Sequence, residues 1–365
     1  MSPKPRVLVA MSGGVDSSVT AALLLHQGYD VIGATMQIWQ DEEPANDLEE
    51  HQGCCSFSAV HDARRVADML GIPHYVLNFR QIFQTTVIDY FIREYASGRT
   101  PNPCIACNRY VKFEELLRRA FSLDAHYVAT GHYARIGYDA LSKRYTLCKG
   151  ADSSKDQSYA LYHLTQHTLR HFLMPLGDYT KKAARQMARD LGLLVADKPD
   201  SQEICFVPDD DYKSFLEERA PRSLMPGNIV DKQGNVIGHH RGLPLYTVGQ
   251  RKGLGIAAGR PLYVVALDSE KNELVVGSDE DVFGHELIAG DLNFIAVDEL
   301  SAPVTLKAKI RYSAPEAEAT VFPLDDGTVR VSFAEPQRAI TPGQSIVFYN
   351  SDCVYGGGII KKMLF

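Results

Sequence analysis

The chain has 365 residues, of which 45% are hydrophobic and 23% charged, an ordinary globular composition with room for two or three domains and a sizeable core. Its formal net charge of −7 argues against a generally sticky nucleic-acid binder and leaves open a local basic surface. Seven cysteines, with no apolar signal region and no apolar run long enough to span a membrane, argue for a soluble cytosolic protein with thiol, metal or redox chemistry and against a disulfide framework.

The first stretch is Val7-Leu8-Val9-Ala10-Met11-Ser12-Gly13-Gly14-Val15-Asp16-Ser17-Ser18, which opens on a short apolar run that reads as a buried strand. A turn of serine and two glycines follows, and Val19 to Leu25 reads as a helix. A strand-to-helix switch rich in serine and glycine points backbone N–H groups outward, at the positive end of a helix dipole, where a phosphate or pyrophosphate fits. No Gly-Lys-Ser/Thr follows, so this is not a Walker A loop. An ordinary tight turn is the plainer alternative, and strand, loop and helix in sequence weigh against it.

Asp30 to Trp39 is a second strand candidate, and Pro44 to Gly53 reads as an exposed acidic loop. Ser58 to Leu70 has helical spacing, His74 to Asn78 reads as a strand, and a longer helix is expected around Val87 to Tyr95. Strands alternating with helices predict a parallel sheet with helices on both faces, with ligands beyond the carboxyl ends of its strands. Met36 and Gly131 fall near such ends, Gly131 closing Tyr127-Val128-Ala129-Thr130. For Met36 a core methionine is an equal alternative. Residues 132 to 150 alternate as a hairpin, with Lys155-Asp156-Gln157-Ser158 in the loop after it. Thr180 to Leu191 is expected to be a helix capped by Thr180, and Asp211 to Arg219 a short helix.

Past Pro221 glycine and proline become frequent, and strands are short: Asn228–Val230, Leu262–Leu267 and Leu274–Val276. From about Leu287 regularly spaced strands (Leu306–Arg311, Ala319–Phe322, Val329–Phe333, Ser345–Tyr349, Val354–Ile360) predict a compact β-barrel. The expected divisions are residues 1–213, 214–285 and 286–365. Asp268 to Glu299 carries ten acidic residues against one base, Lys271, so an RNA-facing surface is expected elsewhere. The basic clusters available are Lys181/Lys182/Arg185/Arg189, Arg251/Lys252 and Lys307/Lys309/Arg311, each of which could equally be a solvated face.

Thr100-Pro101-Asn102-Pro103-Cys104-Ile105-Ala106-Cys107-Asn108 places a C-x-x-C pair at the head of an expected helix, Arg109 to Ala120. The dipole, Arg109 and Lys112 all favour thiolates there. Ser201-Gln202-Glu203-Ile204-Cys205-Phe206-Val207 supplies another cysteine. Buried structural thiols, the reading taken for Cys148 and Cys353, compete with thiol chemistry. Structural zinc is weak because no second C-x-x-C exists. Cys54-Cys55 suggests no role beyond oxidation sensitivity.

The motif SGGVDSS resembles the pyrophosphatase loop of the PP-loop superfamily, whose members cleave ATP to activate a substrate as its adenylate. Together with GRTPNPCIACN and the following KFEEL, TGHYAR, KDQSY, SQEICF and Ile310-Arg311-Tyr312, it resembles the tRNA-specific 2-thiouridylases over nearly the full length. That resemblance implies an N-terminal PP-loop α/β domain, a small β-rich domain and a C-terminal β-barrel. It also implies transfer of sulfur to carbon 2 of the wobble uridine of tRNA. ATP would sit on Ala10, Met11, Ser12, Gly13, Gly14, Val15, Asp16 and Ser17, with Met36 and Gly131 at the adenosine and Asp16 near Mg²⁺. The uridine oxygen would attack the α-phosphate, releasing pyrophosphate. Cys205 would carry a persulfide that Cys107 opens or resolves.

Many members of the family have an aspartate where this chain has Cys104. Cys104, Cys107 and Cys205 could therefore hold a four-iron four-sulfur cluster, an expectation placed slightly ahead of the persulfide route. The resemblance further assigns tRNA contacts to Asn102, Pro103, Cys104, His132, Lys155, Asp156, Gln157, Arg311, Tyr312 and Gln344. The expected partners are tRNA and a sulfur-donor protein or inorganic sulfide, with the chain acting as a monomer in the cytoplasm. An amidating synthetase of the same superfamily, and a tRNA-binding sulfur carrier without adenylation, are the alternatives.

Overall fold

A computed structural model of the chain describes residues 4–38, 57–200, 204–256 and 259–364. Cys54, Cys55, the acidic loop at 44–53 and the Ser201-Gln202-Glu203 part of SQEICF lie outside the described residues. The chain divides into two compact units. One comprises Met1–Val87, Cys104–Asp210 and Asp352–Val354; the other comprises Ile88–Pro103, Asp211–Ser351 and Tyr355–Phe365.

The first unit is built on β1 (Arg6–Ala10), β2 (Asp30–Gln37), β3 (His74–Asn78), β4 (Tyr127–Ala129), a hairpin of β5 (Ala134–Asp139) and β6 (Arg144–Lys149), and β7 (Phe172–Leu173). The sheet order is β3-β2-β1-β4-β7, and every pairing in it is parallel. Val7, Leu8 and Val9 are fully buried, as an unbroken apolar run must be when both faces of a sheet are covered. Helix α1 (Val15–His26) and α2 (Phe57–Leu70) share one core with the Lys181–Asp190 helix. Small residues at Ala63, Ala67, Ala184 and Ala188 help these helices pack closely there. With β2 on one side of β1 and β4 on the other, the strand order reverses at β1. The connections after β1 and β4 therefore diverge and leave a crevice at their carboxyl ends.

Two details differ from the sequence reading. The helix expected from Arg109 to Ala120 is a π-helix over Cys107–Glu115 that continues as a regular α-helix from Leu116 to Phe121. Such wide turns occur mostly at functional sites. Cys148 and Cys353, read as separate thiols, form a disulfide. They are opposed in an antiparallel pairing with Cα atoms 3.9 Å apart, which brings the side chains together across 205 residues of sequence.

In the second unit the Asp89–Ala96 helix packs on the Tyr212–Arg219 helix. Tyr95 stacks on Tyr212, with ring centroids 5.1 Å apart, and Phe91 meets Phe215 edge-on. A four-stranded sheet in the order β10-β11-β8-β9 is formed by β8 (Gly227–Val230), β9 (Val236–His240), β10 (Tyr263–Asp268) and β11 (Glu273–Gly277). Ile229, Leu243, Leu245, Val264 and Leu274 form its core. The barrel contains β12 (Phe283–Phe294), β13 (Val304–Lys309), β14 (Ala317–Pro323), β15 (Val329–Arg338), β16 (Ser345–Asn350) and β17 (Cys353–Leu364). It closes through the β12–β17 pairing. The expected parallel-sheet domain, small β-rich domain and C-terminal barrel are all present.

Candidate active site

The loop after β1 is shaped by its serines and glycines. Ser17 Oγ accepts from the Ser12 N–H (3.1 Å) and donates to the Gly14 carbonyl (3.2 Å), while Ser18 Oγ donates to the same carbonyl (2.8 Å). Gly13 has φ +66°, and a Cβ there would lie 2.3 Å from the Ala59 carbonyl oxygen, so both the turn and the approach of α2 require glycine. Gly14 caps α1 without a side-chain hydrogen bond. The amides of the first turn of α1 lack intrahelical acceptors and are open to an anion.

Gly131 completes this cradle. A Cβ on it would lie 2.8 Å from the Asp16 carbonyl carbon and 2.9 Å from the Ser17 nitrogen, so the end of β4 reaches the loop only because the side chain is absent. Met36 is 8% exposed, near the end of β2 and buried in the sheet. Its burial fits the core alternative as well as an adenosine contact.

A charge network that sequence reasoning missed faces the loop. Asp16 receives the Lys181 ammonium on both carboxylate oxygens, each at 2.8 Å, and the Tyr133 hydroxyl at 2.7 Å. Lys181 also meets Asp200 at 2.8 Å, and Asp200 is further paired with Lys155 (2.9 Å) and Arg185 (2.7 Å). Lys198 donates to the Gly13 carbonyl (3.2 Å) and to Asp62 (2.7 Å). Burial works to raise the Asp200 carboxyl, but Lys181 and Lys155 outweigh it and hold it at about 2. Burial, and then Asp16, push the Tyr133 phenol up, so it stays a protonated donor. The cluster Lys181/Lys182/Arg185/Arg189 therefore differs from both sequence readings at its most buried members. Lys181 and Arg185 are turned to Asp16 and Asp200, and Arg189 pairs with Asp197.

Several residues assigned to tRNA also hold internal structure. Gln157 Oε1 accepts from the Tyr133 N–H (2.9 Å), and Asp156 accepts from the N–H groups of Gly150 and Ser158 (both 3.1 Å). His132 Nδ1 lies 2.8 Å from Thr130 Oγ1, and its ring lies beside Phe113. Burial, and then Lys112, lower its pKa to about 3, so the imidazole is neutral. In the second unit Gln344 Nε2 donates to the Thr100 carbonyl (2.9 Å), bracing the segment that carries Asn102 and the buried Pro103. Arg311 donates to the Arg338 carbonyl (3.1 Å). Tyr312 is 47% exposed, with Lys309 over its ring, an arrangement open to base stacking. Alternation along β13 places Lys307 and Lys309 on one face of the barrel wall.

Cys104 is exposed in the first helical turn after Pro103, and Cys107, one turn on, is half-buried, as is Cys205. Among the described residues no group of three His, Cys, Asp or Glu side chains could hold a metal ion. The four-iron four-sulfur cluster expected on Cys104, Cys107 and Cys205 is therefore not shown among these residues. The loop, by contrast, fits a nucleoside triphosphate, and the Asp16 carboxylate fits a hard divalent cation, with the Lys181 ammonium standing in for it.

Family models cover most of the chain. One described as a tRNA methyl transferase HUP domain matches residues 5–209. A tRNA methyl transferase PRC-barrel domain matches 213–278, and an aminomethyltransferase beta-barrel domain matches 284–360. The chain is 60% identical over 358 residues to a protein of Acetivibrio thermocellus named tRNA-specific 2-thiouridylase MnmA, covering 98% of this chain and 99% of that one. It is 61% identical over 363 residues to the protein of the same name from Heliobacterium modesticaldum, covering 99% and 94%. To that of Clostridium perfringens it is 56% identical over 362 residues, covering 99% of each. With a phosphate cradle on a parallel sheet, a central sheet domain and a closed C-terminal barrel, and with these full-length relatives, the chain belongs to the tRNA-specific 2-thiouridylase family.

Proposed function

We propose that this chain 2-thiolates the wobble uridine of tRNA at the expense of ATP, releasing AMP and pyrophosphate. The observation that carries the reading is the cradle formed by the Ser12–Ser17 loop and Gly131, in the same unit as Cys107 and Cys205. An amide-forming synthetase would use the cradle and leave the thiols idle.

ATP lies with its phosphates on the amides of the loop, and Met36 and Gly131 line the adenosine side. Mg²⁺, when bound, neutralises phosphate charge, and Asp16 is the residue to hold it. The uridine 2-oxygen attacks the α-phosphate and pyrophosphate departs. This turns a poor leaving group into AMP. The terminal sulfur of a Cys205 persulfide then attacks carbon 2, and AMP leaves with the carbon–oxygen bond pair. The Cys107 thiolate attacks the Cys205 sulfur, the sulfur–sulfur bond to the base breaks, and 2-thiouridine is released. The product on the protein is a Cys107–Cys205 disulfide, which an external thiol reduces before the next persulfide arrives. Cys104, the exposed neighbour of Cys107, is placed beside the incoming base with Asn102 and Pro103.

His132, Lys155, Asp156, Gln157, Arg311, Tyr312 and Gln344 shape or touch the tRNA-facing surface. Those with internal bonds act by positioning. The sulfur comes from a persulfide-bearing donor protein; inorganic sulfide is the alternative through attack on the Cys205 sulfur of the Cys107–Cys205 disulfide, which breaks the sulfur–sulfur bond and leaves a Cys205 persulfide and a Cys107 thiolate. Among the described residues no helix is long and apolar enough to cross a membrane. The enzyme is proposed to act as a cytoplasmic monomer, and 1–213, 214–285 and 286–365 are its proposed domains.

The test is pyrophosphate release from ATP with unmodified tRNA bearing the wobble uridine. Release that depends on the tRNA, followed by thiouridine formation when a persulfide donor is added, is the expected result. An enzyme that leaves ATP intact in the presence of that tRNA contradicts the proposal.

A further inference from the structure

Lys181 stands in an unusual place. It is the first residue of the Lys181–Asp190 helix, after the Thr180 cap, where the helix dipole disfavours a cation. Its side chain is 11% exposed. Two carboxylates compensate for this: Asp16 from the phosphate loop, through both oxygens, and Asp200. Tyr133 supplies another donor to Asp16, so Lys181 and Tyr133 together surround the carboxylate. Lys181 and Tyr133 take three of the roughly four acceptor positions of Asp16, so a divalent cation there competes with the ammonium for the carboxylate.

Asp200 differs in one respect. It keeps Lys155 and Arg185 as partners whatever Lys181 does, so Lys181 can shift without leaving a buried carboxylate unpaired. The ammonium lies against the loop whose amides await phosphate, and phosphate oxygens are the natural acceptors for a cation leaving Asp16.

We propose that Lys181 is a phosphate-binding residue held in reserve on Asp16, and that Mg²⁺–ATP binding exchanges the two ion pairs, the metal taking Asp16 and Lys181 taking phosphate. No covalent bond changes; one ammonium–carboxylate pair is replaced by a metal–carboxylate and an ammonium–phosphate pair. The proposal rests on the ATP-dependent reading above. It makes the loop a site that holds its own counter-ion until the substrate brings another.

Two equilibrium measurements in the full-length protein test it: binding of Mn²⁺ alone, followed by its electron paramagnetic resonance signal, and binding of a non-hydrolysable ATP analogue, followed by calorimetry. In Lys181→Met the two should move in opposite directions. Removing the competitor should tighten Mn²⁺ about tenfold, and removing the phosphate partner should weaken the Mg²⁺–analogue complex by about 10- to 100-fold, the range of a charge-assisted hydrogen bond. Lys181→Arg should recover most of the analogue affinity. The mirror variant Asp16→Asn should bind the metal-free analogue more tightly than wild type, because Lys181 is released. It gives the same decision if Lys181→Met does not fold. A purely structural lysine would weaken both ligands or neither, and that result overturns the exchange. If wild-type protein binds no nucleotide, the ATP-dependent function itself falls; if it binds and the opposite shifts are absent, only the exchange does.

Discussion

The two chemical regions of the first unit are prepared to different degrees. At the nucleotide end, Asp16, Lys181, Asp200, Lys155 and Arg185 are joined by contacts of 2.7 to 2.9 Å, and a separate Lys198–Asp62 pair at 2.7 Å flanks a loop in which Gly13 fits only its own size. At the sulfur end, Cys104 is exposed, Cys107 and Cys205 are half-buried, and no group of three metal-ligating side chains is found among the described residues. Electrostatic preorganisation can be built into a fold before any substrate arrives. Sulfur transfer needs thiols that change partners in each cycle, and a rigid arrangement would trap one of those states. The proposed adenylation thus draws on a site whose ion pairs are on view, and the proposed thiolation on groups that exchange partners in each turnover.

The sharpest way to break the prebuilt half is Gly131→Ala. Its new Cβ must displace the Asp16–Ser17 backbone, and a displacement near one ångström costs about 100-fold in rate where phosphates must be aligned. TRNA-dependent pyrophosphate release should fall by roughly that factor, with the variant's circular dichroism spectrum unchanged. A wild-type rate would show that the cradle is not the reaction site.

The sulfur half is sharpened by metal analysis. Protein purified without oxygen should carry far less than one iron per chain and still thiolate tRNA when given a persulfide donor. Stoichiometric iron and sulfide that vanish together with activity in Cys104→Ala would restore the cluster expected from the three cysteines.

A smaller effect concerns the packing beneath the π-helix that begins at Cys107. His163 is 6% exposed, both ring nitrogens lack hydrogen-bond partners among the described residues, and its ring meets Phe113. Burial, and then Arg109, lower its pKa from 6.5 to about 3. The folded state therefore keeps it neutral, while the unfolded chain takes up a proton below about 6.5. Stability falls as pH drops from there toward 3 and levels off below. Between pH 6.5 and 5 the loss is about 2 kcal/mol for one such histidine, and His132 adds a loss of the same sign. The thermal midpoint should drop over that interval, and His163→Phe should flatten the slope. An unchanged slope would place the proton uptake elsewhere. The smallest effect is expected in the second unit, where Gln344→Ala removes the bond to the Thr100 carbonyl and should cost about 1 kcal/mol in urea unfolding.

The strand–loop–helix at Val7–Leu25, the parallel sheet and the barrel strands were legible because each is local in sequence. The apolar run, the glycine pair and the alternation speak for themselves. The charge network was not, since Asp16, Asp62, Asp200, Lys181 and Lys198 come from distant segments that only the fold gathers. One local clue existed: Lys181 and Lys182 open a helix with no acidic residue in its first turn, the reverse of what the dipole favours, so a tertiary carboxylate or phosphate had to compensate. The Cys148–Cys353 bond had no such clue, because its partners meet only through long-range strand pairing. A role for Cys107 and Cys205 was an expectation from motif company, whereas the π-turn that starts at Cys107 depends on packing that helical periodicity does not report.

The separation of the two regions is tested most directly by the double variant Cys107→Ala with Cys205→Ala, assayed for pyrophosphate release and thiouridine in one reaction with ATP, unmodified tRNA and a persulfide donor. The account predicts near-wild-type pyrophosphate release for the first turnover and no thiouridine. Thiouridine formed without these two thiols, or loss of pyrophosphate release along with it, would contradict the account.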